Sequence, residues 1–156
     1  EYISMANIPP LVNQTGLLYV HTEGIVRRTH FHTMSMYVNK LEEYVSNTKT
    51  TGSKLTYGKD SVSVIDAIAT VDKKGENWAI SLVNRHPSEN LECKISMGDK
   101  LLNGIYKATI LTGETTDSYN DIENPNRVEP KDLELKFKNG VVNLPPHSLT
   151  IFHIKV

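Results

Sequence analysis

The sequence predicts a mainly β protein, an antiparallel sandwich preceded by a short helical segment, and three observations carry that prediction. From Val62 onward, short β-branched and aromatic runs are broken at intervals by turn residues. That makes about seven or eight strands over roughly 100 residues, the density of a sandwich rather than of alternating βα units. Asn139-Gly140 stands between "LELKFK" and "VVNL", the strongest short-range hairpin signal. Ahead of the β region, Phe31, Met34, Tyr37, Val38, Leu41, Tyr44 and Val45 recur at three- and four-residue steps, the spacing of an amphipathic helix.

In chain order, the apolar stretch "ISMANIPPLVN" comes first, then a Gly-containing turn at "NQTG" and a short apolar run "LLYVH". The helical spacing follows, with Glu42 and Glu43 on its polar side. Ser46 to Lys54, "SNTKTTGSK", is a polar connector rich in Thr and containing Gly. "VIDAIATVD" and "NWAISLVN" flank "KKGE" and read as a hairpin. "LECKISM" and "YKATILTG" are strands separated by Gly98 and Gly104. Leu133, Leu135 and Phe137 alternate with Glu134, Lys136 and Lys138, so one face of that strand is buried and the other wet. "SLTIFHIKV" closes the chain. Its Ser148, Leu149, Ile151, Phe152 and Ile154, with Leu144 and Pro145 ahead of them, are the expected core anchors.

A chain of 156 residues suits one domain with a real core. With 17 Lys+Arg against 18 Asp+Glu, the net charge of -1 leaves no electrostatic footprint for nucleic acid or an anionic membrane surface. No apolar run approaches the length of a membrane span. Cys93 is the single cysteine, so no intrachain disulfide forms, which is compatible with a reducing compartment. The chain begins mid-pattern at Glu1, as a piece of a longer protein would.

The stretch "RRTHFHTMSMY" sets His30 and His32 either side of Phe31, but on a helix residues two apart diverge and cannot share a metal. The remaining histidines are scattered, so neither a zinc motif nor a cofactor is expected. Glycoside hydrolysis needs two carboxyl groups flanking the scissile bond. Glu42 and Glu43 read as solvated, and Asp66 as lying on the wet face of its strand. Asp117, Asp121 and Glu123 sit in a loop that lacks the alternation and glycine of a calcium loop. Cys93 lies inside a strand-like run, the setting of an inert thiol. Asn13-Gln14-Thr15 is a formal glycosylation sequon. Trp78 and Tyr106 could form a sugar-stacking platform on a sheet face. Against that stands the core, which claims most of the aromatics in a chain with one Trp, seven Tyr and three Phe.

The blocks "ISMANIPPLVN", "LLYVHTEGIVRRTHFHTMSMYV", "ENPNRVEP" and "LPPHSLTIFHI" together resemble, in order and spacing, the C-terminal part of the α-L-arabinofuranosidases of glycoside hydrolase family 51. The resemblance implies a catalytic (β/α)₈ barrel followed by a jelly-roll-like β-sandwich. It implies residues 1–47 as a barrel-end segment and connecting helix, and residues 48–156 as the sandwich. Phe31, Met34 and Tyr37 are then expected at the barrel–sandwich boundary. The implied parent cleaves terminal α-L-arabinofuranosyl groups from arabinan and arabinoxylan oligosaccharides with retention. Its catalytic glutamates lie upstream of this chain, and Glu1, Glu23, Glu42 and Glu43 do not match their motifs, so the implied role is non-catalytic. The barrel is the implied partner, with a homo-oligomer and the bacterial cytoplasm as further expectations. Two departures are visible: "SYNDI" replaces a His-Asn-Thr-Phe-like run before "ENP", and Pro9-Pro10 replaces Ala-Gln. The alternatives from the residues alone are an autonomous carbohydrate-binding module using Trp78 or Tyr106, and a free-standing interaction sandwich.

Overall fold

The computed structural model describes residue 7 and residues 10–156. Most of "ISMANIPP", expected at the end of a barrel, lies outside the described residues. The lead-in begins with a hairpin of β1 (Leu18–His21) and β2 (Gly24–Arg27), in register Val20 to Ile25. Helix α1 (Thr29–Lys40) follows, then β3 (Tyr44–Ser46). A second hairpin pairs β4 (Lys54–Tyr57) with β5 (Asp60–Ser63), and β6 (Ile65–Val71) and β7 (Asn77–Asn84) form a third.

Helix α1 is shorter than the apolar spacing predicts, and its buried face is turned. It stops at Lys40, and Leu41 is already extended at φ -89°, ψ 155°. Glu42 donates its backbone N–H to Thr70 Oγ1 at 2.8 Å, and Tyr44, Val45 and Ser46 pair with Val71, Thr70 and Ala69 of β6. Ladder hydrogen bonds to a sheet edge outweigh a helical continuation of small propensity. Glu42 and Glu43 therefore lie beyond the helix rather than on its polar side. The buried helix residues are His32 and Met36, one turn apart, while Val38 is 79% exposed.

The remaining strands are β8 (Leu91–Lys94), β9 (Ser96–Met97), β10 (Lys100–Leu101), β11 (Gly104–Leu111), β12 (Lys131–Phe137), β13 (Val141–Leu144) and β14 (Ser148–Lys155). Six strands form one sheet in the order β12-β11-β14-β7-β6-β3, every pair antiparallel. Two short pairs, β13-β8 and β9-β10, make up the opposing layer. The fold is the predicted antiparallel β architecture, with one broad sheet and a slight second layer.

Alternation along β7, β14 and β11 gives the broad sheet two apolar faces. One carries Ile80, Leu82, Phe152, Ile154, Ala108, Leu135 and Phe137, which pack with Leu102, Val142 and Leu144 of the second layer. The other carries Ala79, Ile151, Leu149 and Leu111, covered by Met36 of α1 and Val128 of the β11–β12 loop. Phe152, Ile151 and Ala79 have no exposed surface. The expected anchors of the last strand are thus core residues, divided between the two faces by the period of two.

The Asn139-Gly140 turn forms, with φ 51° and 80° and a bridge between Lys138 and Val141. Its strands do not continue as one hairpin, because β12 pairs with β11 and β13 pairs with β8. The turn carries the chain from one layer to the other, so that Phe137 and Val142 meet the same core from opposite sides. Glycine is required at 140: a Cβ there would lie 2.8 Å from Ile95 O, on a left-handed backbone.

Candidate functional site

Trp78 and Tyr106, the two sugar-stacking candidates, both border a shallow depression of about 280 Å³ with Glu42, Lys107 and His153. Their polar handles are already engaged. Trp78 Nε1 donates to Gly75 O at 3.1 Å, and the Tyr106 hydroxyl donates to Asn103 O at 3.0 Å. The Tyr106 ring stands edge-on to Phe137 at 5.4 Å and to Phe152 at 6.0 Å, which ties it to the core aromatic cluster. Trp78 also lines a larger cleft of about 790 Å³ between the two layers. Ile65, Ala67, Ala69, Ile80 and Leu82 form its floor, Leu91 to Gly98 one wall, and the connector from Ser46 to Ser53 its rim. Cys93 lines this cleft, where burial pushes its thiol up and away from the reactive thiolate.

The two histidines of "RRTHFHTMSMY" part company, as helical geometry requires. His30 Nε2 meets Gly16 O at 2.8 Å. His32 is buried, and its Nε2 has no hydrogen-bond partner among the described residues. Burial is the main cause holding the His32 ring below the usual imidazole range; Arg27 adds to it and Glu129 opposes it. Asp66 is exposed and pairs with Arg85 at 2.6 Å. In the acidic loop, Asp121 Oδ1 accepts the Asn124 N–H at 2.6 Å, a turn-forming contact. Among the described residues no three His, Cys, Asp or Glu side chains gather as metal ligands.

The residues expected at a barrel boundary take different positions on α1. Phe31 is half-buried beneath the Arg27 guanidinium, 5.5 Å above its ring. Met34 is exposed. Tyr37 leans onto the sheet, and its hydroxyl oxygen accepts from Ser81 Oγ at 3.4 Å. Around them the lead-in exposes apolar side chains: Leu11 at 60%, Ile25 at 62%, and Val12, Val20, Met34 and Val38. Val20 and Ile25 are a cross-strand pair, so they present one apolar patch from the β1–β2 hairpin.

Asn120 is the residue that sequence reasoning missed. It is 4% exposed, and its Nδ2 donates to Arg27 O and Val128 O, both at 2.8 Å, while its Oδ1 accepts the Val128 N–H at 2.7 Å. One amide thus ties the β11–β12 loop to the end of β2, 93 residues away. Only its place in "SYNDI" hinted at it, and a lone Asn in a polar loop has no periodicity to mark it.

Residues 1–148 match the family model described as the α-L-arabinofuranosidase C-terminal domain. The chain belongs to that family. Among solved structures, the domain is similar to the α-L-arabinofuranosidase from Thermotoga maritima in its arabinose complex. The TM-score is 0.78 at 21% identity, covering 97% of this chain and 34% of that one. The family 51 arabinofuranosidase from Xanthomonas axonopodis pv. citri gives TM-score 0.80 at 21% identity over 97% of this chain and 31% of that one. The thermostable family 51 enzyme from Thermotoga petrophila gives 0.77 at 22% identity over 93% and 32%. At these identities the likeness is one of fold. This arabinofuranosidase C-terminal domain therefore spans about a third of the chains it resembles. No curated protein matches its sequence.

Proposed function

We propose that this chain is the non-catalytic C-terminal domain of a longer α-L-arabinofuranosidase, packing on the catalytic (β/α)₈ barrel of its parent and stabilising it. The observation that carries the reading is the apolar lead-in. Half of the exposed large apolar side chains among the described residues fall between Leu11 and Val45. Apolar surface rimmed by polar residues and left uncovered marks an interaction face. Met34 belongs to that face, joined by Val20, Ile25 and Val38, whereas Phe31 is half-buried and Tyr37 packs on the domain's own sheet. The parent acts on terminal α-L-arabinofuranosyl groups of arabinan and arabinoxylan oligosaccharides with retention, in the bacterial cytoplasm, and this domain also supports any homo-oligomer it forms.

The test is hydrolysis of a chromogenic α-L-arabinofuranoside by this chain and by the protein extended upstream to include a barrel. Activity in the extended protein alone supports the reading. In that protein, Ile25→Lys combined with Val38→Lys is expected to lower the thermal midpoint of the barrel. Turnover by the isolated chain at a comparable rate would overturn it.

A further inference from the structure

His147 stands at the entry to β14 with a left-handed backbone, φ 38°, and is held from three sides. Its backbone N–H donates to His86 O at 2.9 Å. Ring Nδ1 lies 3.0 Å from the carbonyl oxygen of Pro87 in the β7–β8 loop. Ring Nε2 lies 3.0 Å from the carbonyl oxygen of Gly113, at the start of the β11–β12 loop. Both partners are acceptors and neither can donate. A neutral imidazole has one N–H and one lone pair, so it satisfies one loop and turns a lone pair toward the other. The imidazolium has two N–H groups and satisfies both.

We infer that His147 is a proton-operated tether, joining both loops to the entry of β14 when its ring is charged and releasing the Gly113 loop when it is neutral, because the β7–β8 loop keeps the backbone bond from the His147 N–H to His86 O. The consequence travels along the β11–β12 loop. Gly113 is at its near end, and at its far end Asn120 and Val128 close over the second face of the sheet and hold Arg27. The proton therefore bears on how firmly the apolar lead-in is seated.

The other charged groups on the two joined loops are engaged elsewhere or exposed. Arg85 pairs with Asp66 at 2.6 Å and Glu114 with Arg127 at 3.1 Å, Asp121 accepts the Asn124 N–H, and Asp117, Glu123 and Glu129 are exposed. Glu89 lies 3.5 Å from His86 Nε2. His86 Nδ1 accepts the N–H groups of Ser88 and Glu89 at 3.3 and 2.9 Å, so its ring is engaged within the β7–β8 loop.

The experiment is hydrogen exchange of residues 112–118 at pH 5.5 and pH 8.0, corrected for intrinsic rates. It compares the 156-residue chain with His147→Asn, a substitution that tolerates the left-handed backbone but is too short to bridge both loops. Protection of the segment is expected to fall about tenfold between the two pH values in the parent sequence, and to be low and flat in the variant. Equal protection at both pH values in the parent sequence, or the same fall in the variant, would overturn the tether. Nitrogen-15 spectra of the His147 ring give a second reading that needs no substitution. Protons on both ring nitrogens while the segment is protected support it, and a lone pair on either nitrogen under the same protection refutes it.

Discussion

Replacing Phe152 with alanine removes the centre of the larger core. Phe152 is fully buried, its ring 5.1 Å from that of Phe137 and 6.0 Å from that of Tyr106, and its β14 position pairs with Ala108 on one side and Ile80 on the other. Deletion of a fully buried phenylalanine ring costs about 3–5 kcal/mol, the sum of lost transfer energy and the cavity left behind. The upper half of that range is expected here. Ala108 is too small to collapse into the space, and two aromatic neighbours each lose a partner worth roughly 0.5–1.5 kcal/mol. For a chain of this size about 4 kcal/mol corresponds to a fall of roughly 8–16 °C in the thermal midpoint. Urea unfolding followed by the fluorescence of Trp78, the single tryptophan, gives the free energy directly. Tyr106→Phe serves as control, since it removes only an exposed hydroxyl contact and keeps the ring. A loss under about 1 kcal/mol with an unchanged m-value would mean that the two layers do not close over Phe152, and the core assignment would fail.

Asn120→Ala strips hydrogen bonds from the Val128 N–H and from the Arg27 and Val128 carbonyls, so a loss of about 2–4 kcal/mol is expected. Faster exchange of the Val128 amide checks it; native protection there would count against the tie. Gly140→Ala meets both a left-handed backbone and the Ile95 carbonyl, and should lower stability by about 2 kcal/mol, whereas Asn139→Gly should be nearly neutral in urea melts. His32 is held below the ordinary imidazole value of 6.5, so the folded state binds its proton less readily than the unfolded state does. Its contribution is therefore complete above pH 6.5 and lost as the pH falls through that value toward the depressed one. The stability difference between the parent sequence and His32→Gln should shift in favour of the variant on acidification. Urea midpoints from pH 8 to pH 5 measure that difference, with His153, also depressed mainly by burial, cancelling between the two proteins.

What could be read from the sequence was whatever a local rule decides alone. The β6–β7 hairpin was legible because Asp72 and Gly75 close its turn within a few residues. Asp72 accepts the Glu76 N–H and the Asn77 side-chain amide, and these bonds hold its carboxyl below the usual range. The faces of β12 were legible because Leu133, Leu135 and Phe137 alternate with charged residues, and a period of two leaves no choice of side. The end of α1 was not, because Tyr44 and Val45 satisfy a helical spacing and a strand equally well, and the choice lay with Thr70 and the free edge of β6 far along the chain. The Asn139-Gly140 turn shows the same division. Its chirality is local and was readable, whereas the layer each flanking strand joins depends on Phe137 and Val142 sharing a core with Phe152.

The candidate surfaces follow that logic. Spacing identified α1 as amphipathic, but which of Phe31, Met34 and Tyr37 faces outward is set by Met36 reaching Ile151 and Leu149 across the sheet. Composition singled out Trp78 and Tyr106 as rare aromatics, yet only the packing of Phe137 and Phe152 shows that the Tyr106 ring is already occupied. Asn120 and His147 carried no periodic signal, since each acts through acceptors in segments remote in sequence. A periodic pattern records which side of an element meets apolar matter. It is silent on whether that matter belongs to the same domain or to a partner, and the outward Val20, Ile25 and Val38 are proposed as an interface because Val26 and Met36 fill the opposite sides of β2 and α1.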